Sequence, residues 1–310
     1  MIAKVKKIDY EKIKAILNEY DNESFYEKVN YIPHSSDLYK ELKTYINPED
    51  FGNKSVLGID IYRYSSYNLL EQTLIPFIFK VLFEATIKMC IESNQFIFQS
   101  FTKEKIEKCF LSTGDGGFLI LDTPLHSLIF AINFEFAVRS YNAFHLFPKL
   151  RKIIGPISLR YAITYNNVYY FDNSFYGRAI INNARILNKD NLNRCLIDQE
   201  TNEWFMIHID GIENLQVITI NEVANIFDFQ SYNRKFIDSG NNLIFGKDVS
   251  RTKGILNSDI LKIGQIQSKD TSLDIYNIHL QVVMEVSDHK DKTKNRIITV
   301  SLGNLNTSGI

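Results

Sequence analysis

The chain has 310 residues, 45% of them hydrophobic and 13% aromatic, which is enough apolar material for one large core plus accessory elements. With 35 Lys and Arg against 36 Asp and Glu the net charge is −1, so the basic footprint of a nucleic-acid or anionic-membrane binder is missing. Cys90, Cys109 and Cys195 stand far apart with no CxxC or Cys/His spacing, which reads as free thiols in a reducing compartment.

The N-terminal MIAKVKKIDYEK has positive charges but neither an apolar core nor a cleavage site, so it is not a secretory signal and the expected location is cytoplasmic. Residues 1–50 read as helices, DYEKIKAILNEY and SDLYKELKTYI, separated by a turn at Tyr31, Ile32 and Pro33. In SVLGIDIYRYS, Leu57, Ile59 and Ile61 alternate with Val56, Gly58, Asp60 and Tyr62, a two-faced strand that sets Asp60 mid-strand. A carboxylate there needs compensation, and two partners are open: a metal ion, or an arginine such as Arg63 or Arg160. LLEQTLIPFIFKVLFEATIKMCI is broken by Glu71, Lys80, Glu84 and Lys88, which suits an amphipathic helix packed on a sheet and not an integral membrane segment. Pro76 kinks that helix or lies in its first turn.

FLSTGDGGFLILD then reads as a strand, a sharp acidic turn with Asp115 at its tip, and a second strand. Gly114, Gly116 and Gly117 bare the backbone around that carboxylate, as a metal-bound triphosphate requires, although glycine beside aspartate is also ordinary hairpin chemistry. Asp60 and Asp115 on neighbouring strands suit two divalent cations that activate a hydroxyl and stabilise a leaving phosphate. A second core helix is expected over 125–147, with Leu128, Ile132, Phe136 and Val138 inward, followed by a hairpin of ISLRYAITY and NVYYF turning at Asn166 and Asn167. YYFDNSFYGRAIINNARIL supplies a strand end, a glycine turn and a helix with the core stripe Ile180, Ala184 and Leu187; Asn182 and Arg185 share a face beside it, placed for a ribose and a triphosphate. RCLID and LQVITI complete the sheet. After residue 225 the composition turns polar, and LKIGQIQ, LDIYNIHLQVVMEV and RIITVSL alternate with period two, a small antiparallel appendage that packs on its own domain or on a second subunit.

Taken in order, GIDIYRYS, STGDGGF, LRYAITY and YGRAIINNARIL resemble the class III nucleotidyl cyclases over about residues 55–220. The resemblance implies an α+β fold, a ferredoxin-like sandwich of sheet and helices, working as a head-to-tail homodimer. It divides the chain into an N-terminal helical segment (1–50), a catalytic domain (51–225) and a C-terminal β-rich accessory region (226–310). It also implies that Asp60, Asp115 and the backbone carbonyl of Ile61 bind two Mg2+ or Mn2+ ions. Arg185 is then the residue that stabilises the transition state, with Asn182 assisting, and Gly114 and Gly116 lie against the phosphates of a nucleoside triphosphate.

Departures from the family narrow the substrate. Adenylate cyclases carry a lysine four residues before the hairpin aspartate and an aspartate or threonine three residues before the turn glycine; here those places hold Leu111 and Ser174. Guanylate cyclases carry glutamate and cysteine there, so neither purine code is matched. Ile181 stands where the family has an asparagine, with Asn182 as the substitute, and HIDGIENLQV lacks the lysine that grips the triphosphate, leaving Lys189, Arg194 or Arg178 as sources of charge. Loss of the purine code with both aspartates retained resembles the bacterial pyrimidine cyclases of antiphage defence, the Pycsar group, which make cyclic UMP or cyclic CMP. Tyr62 or Tyr64 is then the aromatic that narrows the base pocket. The expectation is a cyclase of UTP or CTP whose product is read by a separate effector protein, with a purine cyclase or an inactive nucleotide sensor as the alternatives.

Overall fold

A computed structural model describes residues 5–20, 35–47, 51–227, 254–267, 272–287, 295–306, 308 and 310. The N-terminal part holds a short strand, β1 (Lys6–Ile8), and two helices, α1 (Tyr10–Tyr20) and α2 (Ser36–Tyr45). The strand was not expected from the sequence; it is three residues long and exists through its pairing partner. Next comes β2 (Asn53–Ile61), whose Leu57, Ile59 and Ile61 enter the main core while Val56 faces the opposite side.

Helix α3 (Leu69–Ser93) starts at a capping box, in which Asn68 accepts from Glu71 N and Glu71 accepts from Asn68 N. Pro76 lies inside α3, beyond its first turn, and has no N–H for the carbonyl of Gln72; the Tyr64 hydroxyl donates to that carbonyl instead, at 3.1 Å. After α4 (Lys103–Lys108), β3 (Phe110–Ser112) and β4 (Gly116–Leu121) form the expected hairpin. Helix α5 (Pro124–Asn142), capped by Thr123, is buried on almost every side, and α6 (Pro148–Ile154) leads to β5 (Leu159–Asn167).

Strand β2 pairs antiparallel with β4 on one side and with β5 on the other, giving the order β5-β2-β4-β3. With α3 and α5 as its two connections this is the β-α-β-β-α-β ferredoxin-like arrangement, an α+β fold as expected. Both helices pack on the Leu57, Ile59 and Ile61 face.

The hairpin expected from residues 157–171 does not form. Strand β5 runs straight through Asn166 and Asn167 beside β2, and the turn falls later, at Asp172 and Asn173, which both adopt positive φ. That turn joins β6 (Tyr169–Phe171) to β7 (Ser174–Tyr176), and β1 pairs parallel with β6 to complete a small second sheet. Helix α7 (Arg178–Lys189) follows on the face of the main sheet opposite α3 and α5, packing on Val56 and Ala162 through Ala179, Ile186 and Leu187. The expected stripe was rotated: Leu187 is buried, but Ala184 is exposed and Ile180 only half-buried.

RCLID joins the sheet as expected: it forms β8 (Cys195–Asp198), which pairs with β5 in parallel. LQVITI is not a strand. Its segment follows α8 (Gln199–Ile209) as a short 3-10 turn and leads into α9 (Ile220–Phe227), both helices unanticipated. The C-terminal strands are β9 (Gly254–Gln267), β10 (Ser272–Ser287) and β11 (Asn295–Leu302). Along one edge β10 pairs with β9; along the other it pairs first with β8 and then with β11, all antiparallel, so these strands extend the main sheet. Of the two packing partners open in the sequence, it is the chain's own sheet that they join. The turn expected at Tyr31 to Pro33, the loop SGNNLIFGKD and residues 288–294 of the loop SDHKDKTKN lie outside the described residues.

Candidate active site

Asp60 is the penultimate residue of β2, opposite Gly116 of β4 and Arg160 of β5. The strand's period of two puts it with Val56 and Gly58 on the α7 face. Asp115 sits at the tip of the β3–β4 hairpin, where its carbonyl accepts from Ile61 N at 3.2 Å, and its carboxylate is close enough to Asp60 to push that carboxyl's pKa upward. The hairpin therefore sets Asp115 beside the end of β2, one residue from Asp60. Gly114 supplies the turn at φ 105° with open space around it, whereas a Cβ on Gly116 would meet Ile59 O at 2.0 Å. Gly116 is thus glycine because β2 passes against it, and bare backbone facing solvent belongs to Gly114 alone of the expected pair.

Arg160 Nε donates to Asp60 Oδ2, with 24% of the arginine and 15% of the aspartate side chain exposed. Of the two compensations left open for Asp60, the arginine is present in this structure. Burial pushes the Asp60 carboxyl above its ordinary range; Arg160 opposes that shift and the Asp115 carboxylate adds to it. Two hard oxygen donors on adjoining strand ends fit a divalent cation such as Mg2+ or Mn2+. Among the described residues no group of three or more His, Cys, Asp or Glu gathers, so Asp60 and Asp115 are the acidic donors on offer there.

Helix α7 presents Arg185 to solvent, one turn after Ile181, which is 53% exposed. Asn182 is only 6% exposed, so it does not share Arg185's open face as the sequence reading had it. Its neighbour Asn183, not singled out from sequence, is wholly buried and donates through Nδ2 to Val56 O at 2.7 Å, Ala162 O at 2.9 Å and Thr164 Oγ1 at 3.2 Å. A Cβ at Gly58 would lie 2.0 Å from Asn183 Oδ1. Glycine inside the strand pattern was the available signal for this contact.

Tyr62 is half-buried beyond β2, and its hydroxyl donates to Asn191 O at 3.2 Å, while Tyr64 is committed to the Gln72 carbonyl. Leu111 packs on β3 beside Val56 and Ala179, and Ser174 lies half-buried at the start of β7. Of the three alternative sources of triphosphate charge, Lys189 and Arg178 are exposed on α7. Arg194 is excluded: it is 1% exposed and holds Asp190 at 2.7 Å.

The fold is similar to solved nucleotidyl cyclases at low identity. An adenylate/guanylate cyclase/hydrolase from Silicibacter pomeroyi matches with 12% identity and a TM-score of 0.37, over 73% of this chain and 95% of that one. The adenylyl cyclase CyaB from P. aeruginosa matches with 13% identity and a TM-score of 0.35, over 73% and 93%. A bacterial light-regulated adenylyl cyclase matches with 9% identity and a TM-score of 0.39, over 86% and 79%. No protein-family model and no curated protein sequence matches the chain. Among the described residues no helix is long and apolar enough to cross a membrane.

Proposed function

We propose that this chain is a metal-dependent nucleotidyl cyclase, converting a nucleoside triphosphate to a 3′,5′-cyclic nucleotide and pyrophosphate. The observation that carries this reading is the hydrogen bond from Ile61 N to Asp115 O, which sets Asp115 against the end of β2 next to Asp60, on the sheet face that also bears α7 and Arg185. Asp60 and Asp115, with the Ile61 carbonyl, would hold Mg2+ or Mn2+, which when bound polarises the 3′-hydroxyl and screens the α-phosphate. Arg185, exposed on α7, offers a guanidinium to the developing charge of a site built on a partner chain in a head-to-tail homodimer. Gly114 leaves room for the phosphates at the hairpin tip.

Leu111 cannot hydrogen-bond a base edge and Ser174 is short and neutral, so the charged pair that reads a purine is missing, and Tyr62 stands two residues beyond Asp60 to narrow the pocket. UTP is the proposed substrate, with CTP second, and the product would act as a messenger in antiphage defence, read by a separate effector. Two observations favour a second reading, an inactive nucleotide sensor: Arg160 already occupies Asp60, and Ile181 fills the exposed position one turn before Arg185. Equimolar ATP, GTP, CTP and UTP with Mn2+, analysed by mass spectrometry, separate the readings. Cyclic UMP as the main product is expected, lost at least about a hundredfold in Asp60→Ala and Asp115→Ala. Nucleotide binding without any cyclic product establishes the sensor, and a purine cyclic nucleotide as the main product overturns the base assignment.

A further inference from the structure

We propose that Arg160 is a built-in cation of the Asp60–Asp115 pair, so that the site takes one divalent ion instead of the two that the family resemblance implies. The inference rests on reading these carboxylates as the cation-binding pair. Arg160 is the direct cross-strand neighbour of Asp60, and its Nε spends itself on Asp60 Oδ2. That engages one of the four carboxylate oxygens and fixes a positive charge against the carboxylate that a second ion would have to share. A guanidinium stays charged at every accessible pH, so it cannot step aside by losing a proton.

Nor is the side chain free to swing. Its Nη1 donates to the backbone carbonyl of Asp190, just past the end of α7, and that residue is locked in place. Asp190 is 1% exposed; its N–H donates to Ile186 O at 2.9 Å, and its Oδ1 accepts from Leu192 N at 3.2 Å and from Arg194 Nε at 2.9 Å. Arg194, equally buried, donates onward through Nη1 to Ser308 O at 2.7 Å, so the C-terminal segment closes the network. Arg160 is held at both ends of its guanidinium by groups that are themselves held. Two carboxylates less one guanidinium leave a single negative charge, which one divalent ion already exceeds, and a second ion would face both the first and the arginine.

Mn2+ binding to the full chain without nucleotide, followed by calorimetry and by loss of the free-ion EPR signal, tests this directly. The wild type is expected to bind one Mn2+ per chain. Arg160→Met is expected to bind the first ion at least about tenfold more tightly and to admit a second, whereas Arg160→Lys, which keeps the charge, stays at one and Asp115→Ala binds none. Two ions per wild-type chain, an Arg160→Met protein of unchanged count and affinity, or no bound Mn2+ in any of them would each overturn the proposal. Should Arg160→Met fail to fold, the wild-type count and Arg160→Lys decide it. One bound Mn2+ with no cyclic product from any nucleotide defeats the cyclase reading and leaves this one standing; turnover with two ions per site does the reverse.

Discussion

Asp198 accepts a hydrogen bond from Thr201 N at 3.0 Å and so caps α8, yet it is wholly shielded from water. Burial raises its carboxyl to about 7, against the opposing bonds from Thr201, and burial likewise raises Glu135 on α5 to about 7. A folded-state value above the unfolded one means that the native state holds the proton more tightly. The associated stability is complete below the unfolded value of 3.8 and is lost as pH rises through about 7. Stability should therefore fall between about pH 4 and pH 8. Asp198→Asn keeps an acceptor for the cap and has no charge to bury, so at about pH 8 it should exceed the wild type by on the order of 1–3 kcal/mol, the two converging near pH 4. Urea melts at both pH values check this, and a variant weaker than the wild type at the higher pH counts against it. At this same scale Asp60, Asp115 and Arg160 were all visible as residue types, but whether Asp60 met an arginine depended on β5 lying beside β2 in a register no local pattern encodes.

Helix α7 is pinned to the sheet by two buried polar side chains: Thr164 on β5, whose Oγ1 donates to Ala179 O at 2.8 Å, and Asn183 on the helix, where an apolar residue would be the usual choice. Asn183 reaches carbonyls on both β2 and β5, and Gly58 is vacant to admit it. Asn183→Ala should cost about 1–3 kcal/mol, because buried polar partners are left without their donor. Gly58→Ala should also destabilise, and the double variant should lose less than the sum of the two, since the atom that clashes at 2.0 Å is gone. Strictly additive losses in denaturant melts would contradict this coupling. The buried asparagines also explain why the buried face of α7 departs from its apolar stripe: a stripe of apolar residues alone passes over Asn182 and Asn183, which occupy the buried side. Similarly, Asn166–Asn167 and Asp172–Asn173 both tolerate a tight turn, and the extended pairing of β5 with β2 decided which of them turns.

Over the whole molecule, the C-terminal strands complete the sheet. Ile255, Ile278, Leu280, Val282, Val300 and Leu302 join the same core as β2 and α5, and β10 covers the edge of β8. Removing residues 254–310 should therefore yield an aggregating chain without a cooperative melt, because an apolar edge strand is uncovered; a soluble, cooperatively melting 1–253 fragment would show the core to be independent. Assembly makes a second demand. Under the proposed function Arg185 serves a site on the partner, so Asp115→Ala mixed with Arg185→Ala should regain one competent site per mixed dimer while each alone stays inactive. No recovery after verified subunit exchange would place these residues in one chain's site.

The sequence alone determined β2, α3, the β3–β4 hairpin and β9 to β11, because apolar runs of strand or helix length bounded by caps and glycine turns are written locally. Tertiary structure alone decided the short strands β1, β6 and β7, the joining of the C-terminal strands to β8, the inward turn of Asn182 and Asn183, and the Arg160–Asp60 contact. Each of these is fixed by a partner distant in the chain, and three-residue strands, polar core contacts and cross-strand ion pairs leave no repeating trace in the residues that make them.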